Sequence, residues 1–225
     1  MRKRVLDRLD QTIVYLYRNL RPAFPIHAVV VAKRLEHCRF VTYDELARMS
    51  GTSYEEVMRA CRSVDGSTHY DPEKKRYLIA VNLPGRHILS RARVNWTIAH
   101  ELGHIAAGHF TELLEQGCAN PDPSASKEME QEADYFAATL LAPFSAIRAL
   151  GACSAEDIRD WFGLSGEAAE YRWREYREGG RDSRTIERYF ERNYVQSSVK
   201  EDRRRAAFHP AGKPIQIQMD STEEL

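Results

Sequence analysis

A chain of 225 residues, 43% hydrophobic and 29% charged, can bury a substantial core and reads as one ordinary soluble domain with an appendage. Thirty-three basic residues balance thirty-three acidic ones, so no global field recruits nucleic acid or an anionic membrane, and any such binding has to be local. No stretch approaches transmembrane length. Cys38, Cys61, Cys118 and Cys153 are scattered without a Cys-x-x-Cys pair, which argues against a thiolate metal site or a disulfide framework and fits a reducing cytoplasm.

The opening Met1-Arg-Lys-Arg4 is shaped like the start of a signal peptide, but only Thr12 to Tyr17 follows as an apolar patch, and aspartates precede it. Val5 to Leu20 is expected to form an amphipathic helix and Arg21 to Pro25 a break. Pro25 then opens a second helix to His37, and Arg39 to Val41 is a short strand. Thr42 with Glu45 and Ser53 with Glu56 are two capping boxes, so two short helices meet around Gly51. Ala47, Gly51 and Val57 sit where a helix-turn-helix places its small, turn and packed residues. Against DNA binding, Glu55 and Glu56 lie at the start of the second helix, where they repel phosphates. Asp71 to Lys75 is a turn leading into a strand from Arg76 to Val81.

The next segment carries chemistry. His100-Glu-Leu-Gly-His104 sets two histidines one turn apart on a helix, so both imidazoles can reach one metal with Glu101 beside it. Ser90 is the expected N-cap, Arg91 to Ala107 is free of proline, and Gly108 stands where the helix stops. Ile98, Leu102 and Ile105 bury one flank.

A third ligand is sought by elimination, against the alternative of an ordinary charged helix flank. Phe110 stands ten residues after His100, which excludes the metzincin pattern. His109 lies about half a turn around from His100 and reads as a capping or surface residue. Lys127 to Pro143 forms a second helix, opened by Ser124 or Ser126. Met129, Ala133, Phe136, Ala137 and Leu140 make its core face, and Glu130 with Asp134 forms an i, i+4 pair on one edge. Glu132 projects about 160° away, beside Glu128, Tyr135 and Thr139, on an edge expected to be solvated. Glu130 is thus the preferred ligand, and Asp134 the group that accepts the free N–H of a ligating imidazole.

Three runs resemble the ImmA/IrrE-type metallopeptidases of bacteria and their mobile elements: Arg93 to His104, Glu130 to Pro143, and the lead-in Arg76 to Asn82. Ser63 to Asp71 is a further similarity, and Ile158 to Ala169 a looser one. The resemblance, over about residues 20 to 175, implies a cytoplasmic, gluzincin-like zinc endopeptidase paired with a helix-turn-helix repressor that it helps inactivate. It carries the metal roles to His100, His104 and Glu130, and the base role to Glu101. It also implies that the strand from Arg76 to Val81 is an exposed edge suited to an extended peptide. Many relatives have asparagine where Asp134 stands, so the hydrogen bond of that residue matters more than its charge.

Beyond Pro143, Ser154 opens helical segments to about Tyr194. Arg181, Arg184, Arg188 and Arg192 form a stripe that Glu187 and Glu191 interrupt, which reads as a solvated face. Residues 206–225 read as a loose tail in which Ile215 to Met219 alternates like a strand. The expected architecture is α+β, a zincin-like metallopeptidase domain over residues 1–150 and a helical C-terminal extension over 151–225. The expected reaction is peptide-bond hydrolysis with one Zn²⁺, with Tyr135 and Tyr171 as candidates to stabilise the oxyanion. The rival is a zinc-containing regulatory module that binds a repressor or DNA and cuts nothing. Glu101 favours the enzyme, because a structural zinc needs no base.

Overall fold

The computed structural model describes residues 1–21, 23–83, 91–118 and 121–193. The expected N-cap at Ser90, the helix end at Tyr194 and the strand-like Ile215 to Met219 lie outside the described residues. Within them the chain is α+β, mostly helical with one three-stranded mixed sheet.

Helix α1 (Lys3–Leu20) buries Leu9, Ile13, Leu16 and Tyr17, and the Tyr17 hydroxyl donates to the Leu140 carbonyl at 2.7 Å. Helix α2 spans only Ala28–Lys33, shorter than the expected run from Pro25 to His37. Its start is held from elsewhere: the Asn95 side chain donates to the Ile26 carbonyl at 2.8 Å and accepts from the Ala28 N–H at 2.7 Å. These two bonds stand in for the missing side-chain cap.

Strands β1 (Cys38–Thr42), β2 (Gly66–Asp71) and β3 (Arg76–Val81) are ordered β1-β3-β2, with β1 parallel and β2 antiparallel to β3. The Arg76 to Val81 strand is therefore central, contrary to the expected edge position. Ile79, Ala80 and Val81 are fully buried because both faces of β3 are covered. Ile79 and Val81 enter the main core, while Ala80 points the other way into a cluster with Val41, Tyr43, Ala47, Tyr54, Val57 and Cys61. That cluster belongs to helices α3 (Tyr43–Ser50) and α4 (Tyr54–Cys61). Both capping boxes form, and Gly51 turns between the helices at φ 66°.

Helix α5 (Arg91–Ala107) carries the two-histidine motif and ends at Gly108, whose φ of 75° favours glycine. Helix α6 (His109–Glu115) follows at once. Helix α7 (Lys127–Leu141) is capped by Ser126, not Ser124, through the Met129 N–H. Helix α8 (Phe144–Leu150) is capped from a distance, since Asp182 accepts from the N–H groups of Phe144 and Ser145. Helices α9 (Ala155–Phe162), α10 (Gly166–Arg177) and α11 (Arg184–Asn193) follow. Ile158, Phe162, Ile186, Tyr189 and Phe190 join the same core as Val5 and Leu9, so residues on both sides of position 150 build it. Arg184, Arg188 and Arg192 are exposed on α11. No helix among the described residues is long and apolar enough to cross a membrane.

Candidate metal centre

The site lies where α5 crosses α7, and the crossing is close for an identifiable reason. A Cβ on Gly103 would sit 2.8 Å from both the Cα and the carbonyl oxygen of Ala133. Only a residue without a side chain lets the two backbones approach this far. That approach brings Glu130 to His100, one turn before Gly103, and to His104, the residue after it.

His100 Nε2 and His104 Nε2 face each other at 3.0 Å. The Glu130 carboxylate closes the triangle, with Oε2 at 3.5 Å from His100 Nε2 and Oε1 at 3.1 Å from His104 Nε2. One ligand atom from each residue lies within 4.8 Å of the others. Glu130 Oε1 is buried and has no hydrogen-bond donor, an arrangement that is costly unless something else satisfies it. Two imidazole nitrogens on a tetrahedral metal, each bonded at ~2.0–2.1 Å, lie roughly 3.3 Å apart, near what is seen here. Two imidazoles and one carboxylate form a donor set suited to Zn²⁺. The residues present thus fit a metal ion.

The remaining imidazole nitrogens are occupied. His100 Nδ1 donates to Asp134 Oδ1 at 2.9 Å, and His104 Nδ1 lies 2.9 Å from His109 Nδ1. Burial disfavours a charged His100, but hydrogen bonds to Asp134 and Glu130 outweigh it and raise its pKa to about 10 without a metal. The imidazole of His100, with that of His104 beside it, holds the Glu130 carboxyl well below the usual range. The position draws positive charge, and a metal entering it displaces a proton.

A family model for the IrrE N-terminal-like domain matches residues 62–174, from the end of α4 through β2, β3 and α5 to α10. The chain belongs to the ImmA/IrrE metallopeptidase family. No curated protein matches it. The metallopeptidase match takes in all three residues of the metal triad, along with Glu101, Asp134 and the strand beside them.

A cleft of about 1690 Å³ runs over the site. Small-molecule pockets occupy roughly 300–1,000 Å³, so this one has room for a polymer segment. His100, Glu101 and His104 line it, and Glu101 is 9% exposed. One wall is Ser67 to Tyr70 of β2. That strand pairs only with β3 among the described residues, so the free sheet edge beside the cleft belongs to β2 and not to Arg76–Val81. Short and mixed in polarity, β2 shows too weak an alternation to announce itself.

Two expectations are overturned on the far edge of α7. Glu132 is not solvated: its side chain is fully buried, because α1 packs over that edge. Arg2 meets it with Nη2 at 2.7 Å, Nε at 3.1 Å and its backbone N–H at 2.9 Å. Burial pushes the Glu132 carboxyl up, but the Arg2 bonds prevail and hold it at about 2. His109 is neither capping nor on the surface, being fully buried between His104 and Glu132, with Nε2 3.0 Å from Glu132 Oε2. Burial holds its pKa at about 4, against the pull of Glu132. Of the two tyrosines considered for an oxyanion, Tyr135 already donates to Asp10 at 2.7 Å, whereas Tyr171 is exposed on the cleft.

Proposed function

We propose that this chain is a zinc-dependent endopeptidase of the cytoplasm, acting on a helix-turn-helix repressor or similar regulator. The observation that carries the catalytic part is the convergence of His100, His104 and Glu130 at the floor of a cleft that Glu101 also lines. Family membership supports peptide hydrolysis, the family resemblance suggests the regulator, and four free cysteines support the compartment.

His100, His104 and Glu130 would hold one Zn²⁺. Bound zinc makes water a nucleophile near neutral pH, with a pKa of ~7, and polarises a carbonyl. Glu101 takes the attacking water's proton and returns it to the departing amide nitrogen. Asp134 keeps the His100 Nδ1 proton in place, so that Nε2 faces the centre. The free edge of β2 receives the substrate backbone in extended form, which makes recognition depend on an accessible extended segment more than on side-chain identity. Tyr171 is the remaining candidate near the scissile carbonyl.

The test is cleavage of the helix-turn-helix regulator encoded nearest to this gene, by the wild type and by Glu101→Gln. Loss of cleavage in the variant with zinc retained supports the enzyme. Equal inactivation of the regulator by both proteins shows that the chain acts by binding.

A further inference from the structure

We infer that His109 and Glu132, clamped by Arg2, are positioning residues that fix the tautomer and orientation of His104 and so set how tightly the site holds its metal. This rests on the metal-site reading proposed above and assigns new roles on the side of α7 facing away from the cleft.

The chain of contacts runs inward from α1. Arg2 gives Glu132 two guanidinium N–H bonds and its backbone N–H, and its Nη1 also binds Glu112. The Glu132 charge is thereby compensated, so no second cation is required beside it. A carboxylate only accepts, so His109 Nε2, 3.0 Å from Glu132 Oε2, must be the donor. A neutral imidazole that donates from Nε2 has its lone pair on Nδ1. His109 Nδ1 therefore accepts, and His104 Nδ1, 2.9 Å away, must donate. With its proton on Nδ1, His104 presents a lone pair at Nε2, the atom that faces Glu130 and His100. The opposite tautomer would leave two lone pairs facing each other between His104 and His109 and a proton where the metal should bind.

All three side chains are sealed from water: His104 is 3% exposed, and His109 and Glu132 are fully buried. No solvent molecule can replace a lost partner, so removing His109 strands the His104 N–H and leaves Glu132 Oε2 with Arg2 Nη2 as its remaining donor. His109 sits just past Gly108, and that turn swings its ring back beneath His104, with ring centroids 5.0 Å apart at 67°.

Two measurements on the full-length protein test this. Nitrogen-15 NMR of the metal-free wild type should find the His104 proton on Nδ1; a proton on Nε2 with Nδ1 bare overturns the inference, whether or not any variant folds. Competition with a chelator should then show His109→Leu binding Zn²⁺ about ten- to a hundredfold more weakly than wild type. His109→Gln should recover most of that loss, because an amide keeps one acceptor and one donor. Wild-type zinc affinity in a folded Leu variant overturns the inference, as does equal weakness of the Leu and Gln variants, which would reveal packing alone. If the wild type itself binds no zinc, the metal-site reading fails, and the NMR result still decides the tautomer.

Discussion

His100 and His104 stand one turn apart on α5 and offer the same nitrogen to the same point, but their other nitrogens face opposite environments. His100 leans on Asp134, whose side chain is 56% exposed. His104 leans on His109, Glu132 and Arg2 in the interior, with α1 closing over them. An exposed partner is replaceable, since an amide or water can accept the same proton. A buried one is not, because each group removed leaves another unsatisfied. The two halves of the candidate site should thus differ in tolerance, although the two imidazoles are chemically alike.

The largest effect should erase the comparison altogether. His100→Ala and His104→Ala each remove one of three protein ligands, and metal analysis after dialysis should find both without zinc. Full zinc in either would dissociate the site from these histidines. Next, Glu101→Gln leaves both supports intact and removes only the base, so zinc should stay while peptide cleavage falls by at least about a hundredfold. Gly103→Ala attacks the two sides together. Its methyl group meets Ala133 backbone at 2.8 Å, so α7 has to shift away. Thermal unfolding should reveal a loss of about 1–3 kcal/mol, accompanied by weaker zinc binding.

Smaller changes separate the sides. Asp134→Ala should weaken zinc about tenfold, near the lower limit for such partners, while Asp134→Asn stays close to wild type because the amide oxygen still accepts. A chelator titration of both variants distinguishes hydrogen bonding from charge. The smallest signal is in acid. The Glu132 carboxyl is held at about 2, below its unfolded value of ~4.3, so its contribution to stability is complete above ~4.3 and disappears as pH falls toward 2. Glu132→Gln should be less stable at neutral pH and lose less than wild type between those limits. Identical pH profiles would show that Arg2 does not stabilise the ionised carboxylate.

The features that could be read from the residues are local ones. The capping boxes at Thr42 and Ser53 concern groups three positions apart, and the stop at Gly108 concerns one backbone conformation. Helical periodicity placed His100 and His104 on one face and singled out Glu130 and Asp134 on α7. Strand order was not legible: β3 looked like an edge, and β2, which lines the cleft, gave too weak an alternation to be seen. Gly103 carries a signal of its own, since a glycine inside a helix implies a close neighbour.

Glu132 and His109 mark the limit. Spacing along one helix reports which residues share a face, never what will cover it. Arg2 is 130 positions from Glu132, and only the packing of α1 turned an apparently solvated edge into a sealed one. The sequence by itself determined the face of α5 that carries both histidines, the edge of α7 that carries Glu130 and Asp134, and the capping boxes at Thr42 and Ser53, because these depend on contacts within a turn or two. The tertiary structure alone decided which strand borders the cleft and that His104 is supported from the interior, because burial depends on elements the local pattern does not contain.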